Sequence, residues 1–466
     1  MGVLDAALAM LDETATIAVR GRVTRVNGLA VQVAQLPAPI GAAVRVATDG
    51  GRAALRGEVV GFQGDQSTVM LYGSASGVRP GDAVLVTQNR QQVNVGDAML
   101  GRVVDAMGMP MDGGGPIHDV TPRALEPEPI DAMQRPLIET PLATGVRAID
   151  AMLSVGRGQR LGVFAAPGVG KSTLLGMMAR RTAADVIVIG LVGERGREVR
   201  DFCESVLGPK DRKRSVVVAA TGDEPPLMRL RAAMTATAVA EYFRDQGKDV
   251  LLIMDSVTRF CQAQRQIGLA SGELPATRGY PPSVFAMVPR LLERSGRTAA
   301  GSITAFYSIL VEGDDMDEPI SDACRGVLDG HVLLSRKLAS RGHYPAIDIL
   351  GSISRVAPDV TDGTHQQACR TVQRILADYE KVEDLVNIGA YQNGSNPGFD
   401  VAIHCKPMVD QLLQQGRADT QQKVSFDTTR SQLLTLVQEI ARHEERLQKQ
   451  QKTRVNRVGE PARSRA

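Results

Sequence analysis

Tryptophan is absent from the 466 residues, and aromatic residues make up only 3% of them. Proteins that hold single-stranded nucleic acid stack bases on aromatic rings, and this composition offers little from which to build such a platform. Charge of one sign is missing as well: 54 basic residues stand against 52 acidic ones, a formal net charge of +2. Neither a polyanion-coating protein nor an acidic disordered chain has that balance. The five cysteines, Cys203, Cys261, Cys324, Cys369 and Cys405, are odd in number and scattered. They form no Cys-x-x-Cys pair and sit at no metal-ligand spacing with histidine, which reads as small reduced side chains rather than a disulfide or zinc framework. No apolar run approaches the roughly 20 residues that cross a bilayer, and no signal peptide opens the sequence. The expectation is a soluble, cytoplasmic protein.

At roughly 150 residues per domain the length predicts about three domains. Leu4, Ala7, Leu8 and Leu11 recur at helical spacing between Val3 and Asp12. Such an amphipathic stripe caps its own domain or binds a partner. From Ala15 to about Gln92, short alternating runs are punctuated by Gly and by turns such as Arg79-Pro80-Gly81-Asp82. That pattern suits a small antiparallel β-barrel, giving a first domain over 1–92. Apolar runs at Leu161–Ala166, Val186–Val192, Val216–Ala220, Val250–Met254 and Ile303–Leu310 then alternate with helical stretches. This is the signature of an α/β domain with a mainly parallel sheet, placed at 93–360. Helical periodicity over Gln366–Val386 and Met408–Gln415 marks a helical C-terminal domain at 361–440. Residues 441–466 are basic, poor in apolar positions and broken by Gly459 and Pro461, the composition of a flexible tail.

The strongest chemical signal is Ala165-Ala166-Pro167-Gly168-Val169-Gly170-Lys171-Ser172, after a predicted strand and before the helical Thr173–Met178. A phosphate-binding loop needs that context. Gly168 and Gly170 let backbone N–H groups turn toward an anion, and the following helix presents its positive end. Lys171 reaches the outer phosphates and the Ser172 hydroxyl can hold magnesium. Ala165 stands where glycine is usual, and is tolerable if it keeps strand-like dihedrals. A second signal is Val250–Asp255, an apolar strand ending in a carboxylate that can orient magnesium-bound water, or merely cap a helix. A third is Gly193-Glu194-Arg195-Gly196-Arg197-Glu198 at another strand end. Glu194 is the candidate base for an attacking water; Arg195 neutralises phosphate, holds Glu194, or takes part in ordinary helix-terminal ion pairs. Arg355, in a Ser-rich run, reads from composition alone as a surface cation.

Taken together, these residues resemble the type III export ATPases, relatives of the catalytic subunits of rotary ATP synthases. The resemblance runs from Gly145-Val146-Arg147-Ala148-Ile149-Asp150 through Arg355. It includes Gly193–Val199, Leu252–Arg259, Gly279–Ala286 and Leu328-Asp329-Gly330-His331. The Val386–Tyr391 segment looks more like the flagellar than the virulence-injectisome branch. The resemblance implies a RecA-like core in a homohexameric ring with ATP and Mg2+ bound between subunits. Pro167, Gly168, Val169, Gly170, Lys171, Ser172 and Thr173 would hold the phosphates, and Tyr344 would stack on adenine. Ser172 and Asp255 would serve the metal, and Glu194 would activate water with Arg195 in support. Arg355 would be an arginine finger for the neighbouring site.

Further partners follow by the same resemblance. A stator-like regulator and the membrane surface would meet the N-terminal segment. A stalk-like protein in the pore would face the acidic run Glu312–Glu318, with the loop Ser271–Pro275 near that pore. An export gate, chaperones and exported proteins complete the set, at the cytoplasmic face of the inner membrane. Rival readings are an injectisome ATPase, a rotary synthase subunit, an RNA translocase and a non-hydrolysing ring scaffold. The translocase would need exposed aromatics in residues 15–92, where only Phe62 and Tyr72 stand. The scaffold would not need the set Lys171, Glu194, Asp255 and Arg355.

Overall fold

The computed structural model describes residues 19–48, 53–311, 315–416 and 425–458. The amphipathic stripe of residues 3–12, the start of the acidic run at 312–314 and everything after Val458 lie outside them. The chain divides into two compact units that interleave along the sequence. One takes residues up to Leu137, Gly158–Gly162 and Ala184–Leu328; the other takes Ile138–Arg157, Val163–Ala183 and the chain from Asp329 on.

The first unit opens with six strands, β1 (Arg20–Asn27), β2 (Ala30–Ala34), β3 (Ala43–Thr48), β4 (Ala53–Gln63), β5 (Gln66–Leu71) and β6 (Ala83–Gln88). They close into a barrel in the order β1-β2-β5-β4-β3-β6, antiparallel at every described pairing. Its interior is valine-rich, with Val23, Val31, Val44, Val59, Val69 and Val84 at 2% exposure or less. A β-branched side chain fits the narrow lumen of a small barrel, and each one buried fully contributes roughly 1.5 kcal/mol or more.

The same unit contains the parallel strands Ser302–Leu310, Asp249–Asp255, Val186–Glu194, Ser215–Thr221 and the two-residue Val103–Val104, neighbours in that order. Their apolar residues are unbroken because both faces are covered. The helix Pro226–Asp245 packs on Val186–Glu194, and most of its residues are buried. Its alanines allow that approach: a methyl on Gly190 of the strand would come within 3.0 Å of Ala236 Cβ.

The second unit contains the end of the strand Arg160–Ala165, the helix Lys171–Arg181, and the antiparallel pair Gly330–Leu334 and Ile347–Ser354. Three long helices follow, Gly363–Asn387, Pro397–Leu413 and Phe426–Val458. The Asp362 and Asn396 side chains cap the first two, accepting from His365 N at 2.8 Å and Gly398 N at 2.9 Å. The last helix runs past residue 440 into the basic stretch, since Gln, Lys, Arg and Glu favour helix and no Gly or Pro intervenes before Gly459. No helix among the described residues is long and apolar enough to cross a membrane. Four of the five cysteines are buried and Cys369 is half-buried.

Candidate functional site: a phosphate loop in one unit, carboxylates in the other

In the second unit, Ala165 is the last residue of its strand, so its Cβ meets extended backbone and brings no strain. Beyond it Val169 is buried at 3% exposure and anchors the loop, while Pro167 and Gly168 are exposed. Gly168 and Gly170 have φ of +84° and +93°, left-handed conformations that a side chain disfavours. Gly170 is also the N-cap of Lys171–Arg181, so no side chain caps this helix, and no acidic residue stands in its first turn. A positive helix end without a side-chain cap, with Lys171 beside it and Ser172 exposed, is an arrangement that can receive phosphate.

Tyr344 lies against this loop. Its Cε1 and Cδ1 atoms are 3.4 and 3.5 Å from where a Cβ on Gly170 would stand. The residue is 45% exposed, which leaves room for a planar ligand. The C-terminal helices hold Tyr344 from behind: the Gln415 N–H donates to its carbonyl at 2.8 Å. The Gln415 side chain accepts from Arg147 N at 2.9 Å and donates to Gly145 O at 3.1 Å. Gln415 is 3% exposed. Sequence reasoning missed it, and only the Gln-Gln pair after an apolar helix end marks it. The neighbouring Asp150, buried under the Gly145 turn, accepts from Thr144 N, Thr144 Oγ1 and Gly145 N at 2.7–3.0 Å. Burial pushes its carboxyl up to about 6 despite those bonds.

Arg355 follows the strand Ile347–Ser354, with its N–H donated to Asp329 O at 2.9 Å and its side chain exposed. Among the described residues no partner holds its guanidinium.

In the first unit, Glu194 and Asp255 end adjacent parallel strands, where Leu191 pairs with Asp255 in register. Glu194 is half-buried, and Asp255 is 5% exposed. The pairing with Ser215–Thr221 slips between Val192 and Glu194, a bulge at Gly193 that re-aims the strand end. Gly193 has φ of +70°, and a Cβ there would lie 3.0 Å from Arg259 Cβ and 3.5 Å from Arg229 Cδ. These two arginines, half-buried beside the Glu194 strand, are further candidates that sequence reasoning left without a role. Burial first, and then the charge of Arg259, lower the pKa of Arg229. Arg195 pairs with Glu198 at 3.4 Å, both side chains well exposed, the ordinary helix-terminal arrangement. Farther along, Asp315 pairs with Arg278 at 3.0 Å, and Glu318 caps the helix Pro319–Val327. In the loop Ser271–Pro275, Leu274 is 82% exposed.

Known proteins share the sequence and fold of these domains. Residues 23–88 match the β-barrel domain of the ATP synthase alpha/beta family, and residues 145–354 match its nucleotide-binding domain. Residues 361–435 match the T3SS EscN ATPase C-terminal domain. The flagellum-specific ATP synthase of Treponema pallidum is 51% identical over 430 residues, 91% of this chain and 95% of that protein. The chain belongs to the type III export ATPases. Within that family the type 3 secretion system ATPase of Xanthomonas euvesicatoria is 47% identical over 428 residues, 91% of this chain and 96% of that one. The assembled ATPase EscN of the enteropathogenic E. coli type III secretion system matches with a TM-score of 0.84 at 41% identity, covering 90% of this chain and 100% of that one. EscN solved with its central stalk EscO matches with a TM-score of 0.81 and the same identity and coverage. Membership makes this chain a nucleotide-binding ATPase with a barrel, an ATP synthase-type core and a helical C-terminal domain.

Proposed function

We propose that this ATPase energises flagellar protein export, hydrolysing Mg-ATP between the subunits of a homohexameric ring and releasing exported proteins from their chaperones. The observation that carries the reading is the uncapped helix end at Gly170 with the exposed ring of Tyr344 over it. It supplies a phosphate receptor and an adenine platform in one unit. Residues Pro167–Thr173 bind the phosphates, and Lys171 neutralises the outermost charge. Ser172 and Asp255 are hard oxygen donors, the ligand type magnesium takes. Magnesium held there would supply charge neutralisation at the phosphates. Glu194 accepts a proton from the attacking water, with Arg195 in support, and Arg355 of one subunit reaches the site of the next. The sequence of Val386–Tyr391 and the flagellum-specific relative support the flagellar assignment.

By the same family reasoning the N-terminal segment meets a stator-like regulator and the membrane surface. The acidic run and the Ser271–Pro275 loop meet a stalk-like protein, as EscN does with EscO. The ring works with the export gate on the cytoplasmic face of the inner membrane. Glu194→Gln tests the chemistry: ATP binding persists while turnover falls at least a hundredfold, read by equilibrium titration and phosphate release. Turnover within a few-fold of the parent protein would remove Glu194 as the base.

A further inference from the structure

A second basic site lies in the first unit, beside the barrel. A cavity of about 550 Å³, inside the size range of small-molecule pockets, is lined by three arginines, Arg45, Arg56 and Arg231, and by no carboxylate among the described residues. Arg45 and Arg56 are direct cross-strand partners on β3 and β4. Like charges placed opposite one another destabilise a sheet unless something offsets them. Neither side chain hydrogen-bonds or pairs with a described residue, and both are exposed.

Arg231 comes from the helix Pro226–Asp245 and is 4% exposed. It donates to Gln91 Oε1 and Gln92 O, each at 2.6 Å, and lies over the Tyr72 ring at 5.7 Å. Its Nε is buried without a partner. The acid that acts electrostatically on Arg231 is Glu58, which accepts from the Tyr72 hydroxyl through Oε2 at 3.4 Å. Burial pushes the Glu58 carboxyl up to about 7, against the pull of Arg231, so its charge only partly offsets the arginines at neutral pH. Thr87, Gln88 and Asn94 add hydrogen-bonding groups to the wall.

The geometry points to a binding site for a small phosphate-bearing ligand, held by the exposed Arg45 and Arg56 with the buried charge of Arg231 behind them, and separate from the phosphate loop. Guanidinium forks match phosphate oxygens two at a time, and two exposed forks backed by a third positive charge, in a wall without acid among the described residues, select a multiply charged anion over a neutral solute. The probe is pyrophosphate, titrated by calorimetry into the full-length Lys171→Ala protein so that the phosphate loop is disabled. The expected result is one remaining site per chain. It weakens at least tenfold in Lys171→Ala/Arg45→Gln/Arg56→Gln, whose two added changes are at exposed positions, relieve the like-charge pair and do not lower the melting temperature. No binding to Lys171→Ala overturns the proposal, as does equal binding with and without the two arginines. It is overturned too if those arginines govern self-association of the chain instead, which would make the face a protein contact. None of these outcomes depends on whether Glu194 is the base.

Discussion

Gly170 meets two constraints at once. Its φ of +93° would cost an alanine about 1–2 kcal/mol, and the added Cβ would press on the Tyr344 ring from 3.4 Å. Gly170→Ala is therefore expected to lower ATP affinity about tenfold or more while leaving the melting temperature within a few degrees. Titration with a fluorescent ATP analogue measures it, and undiminished affinity would show that neither the loop conformation nor the ring position matters for binding. Ala165 is the contrast. The ordinary glycine is dispensable there because the residue still belongs to the strand. The same loop thus tolerates a departure at one position and not at another, for a reason that lies in backbone dihedrals rather than in motif matching.

At the scale of elements, two joints carry testable consequences. The turn after Pro397–Leu413 is fastened to the nucleotide loop's surroundings through Gln415. Truncating that side chain would leave Arg147 N without its acceptor, at about 1–3 kcal/mol for a buried group left unpaired, and Gly145 O with only the Arg181 guanidinium as donor. Gln415→Ala should raise KM for ATP several-fold with a smaller change in kcat, because the backbone N–H that holds the Tyr344 carbonyl loses its side-chain anchor to Arg147 and Gly145 while the carboxylates in the other unit are untouched. Steady-state kinetics decide it: a lower melting temperature with KM unchanged would reduce Gln415 to a structural role. The other joint ties the barrel to the helix Pro226–Asp245 through Glu58, Tyr72 and Arg231. Glu58 titrates near 7 when folded against an ordinary 4.5, so the folded protein holds that proton more tightly. Its contribution to stability is full below about pH 4.5 and is lost as pH rises through about 7, an effect of about 1–3 kcal/mol. Urea midpoints of the parent protein should therefore fall more between pH 5 and 8 than those of Glu58→Gln; parallel curves would refute the assignment. The parallel strands were legible because burial on both faces leaves continuous apolar runs such as Val186–Val192, and the barrel because its alternation is broken by turn residues. The Gln415 contact was not, since it joins residues hundreds of positions apart through backbone groups that leave no mark on composition. Nor was the full length of the last helix, whose basic half has propensity without apolar periodicity.

For the whole molecule the deciding residue is Arg355. One chain contains the phosphate loop, Glu194 and Arg355, so a ring of identical subunits could be competent at every interface. Arg355 sits on a firmly held strand end: its own N–H is donated to Asp329 O, and Ser354 Oγ donates to Ser154 O at 3.0 Å. Yet the guanidinium itself is exposed and unclaimed among the described residues. A rigid backbone presenting a free cation outward suits a group completed by another copy, where an arginine finger contributes roughly 10³ to 10⁵ in rate. Arg355→Ala and Lys171→Ala should each be inactive alone for different reasons, one lacking the finger it lends and the other the loop it keeps. In randomly mixed rings about one interface in four would pair an intact loop with an intact finger, so turnover should return toward a quarter of the parent value. Turnover of the parent protein should also rise steeply with concentration as rings form. Mixing must be shown independently, by co-purification through a tag carried on one variant only. If mixed rings are present and no turnover returns, Arg355 acts within its own chain or not at all, and the interface site falls with it.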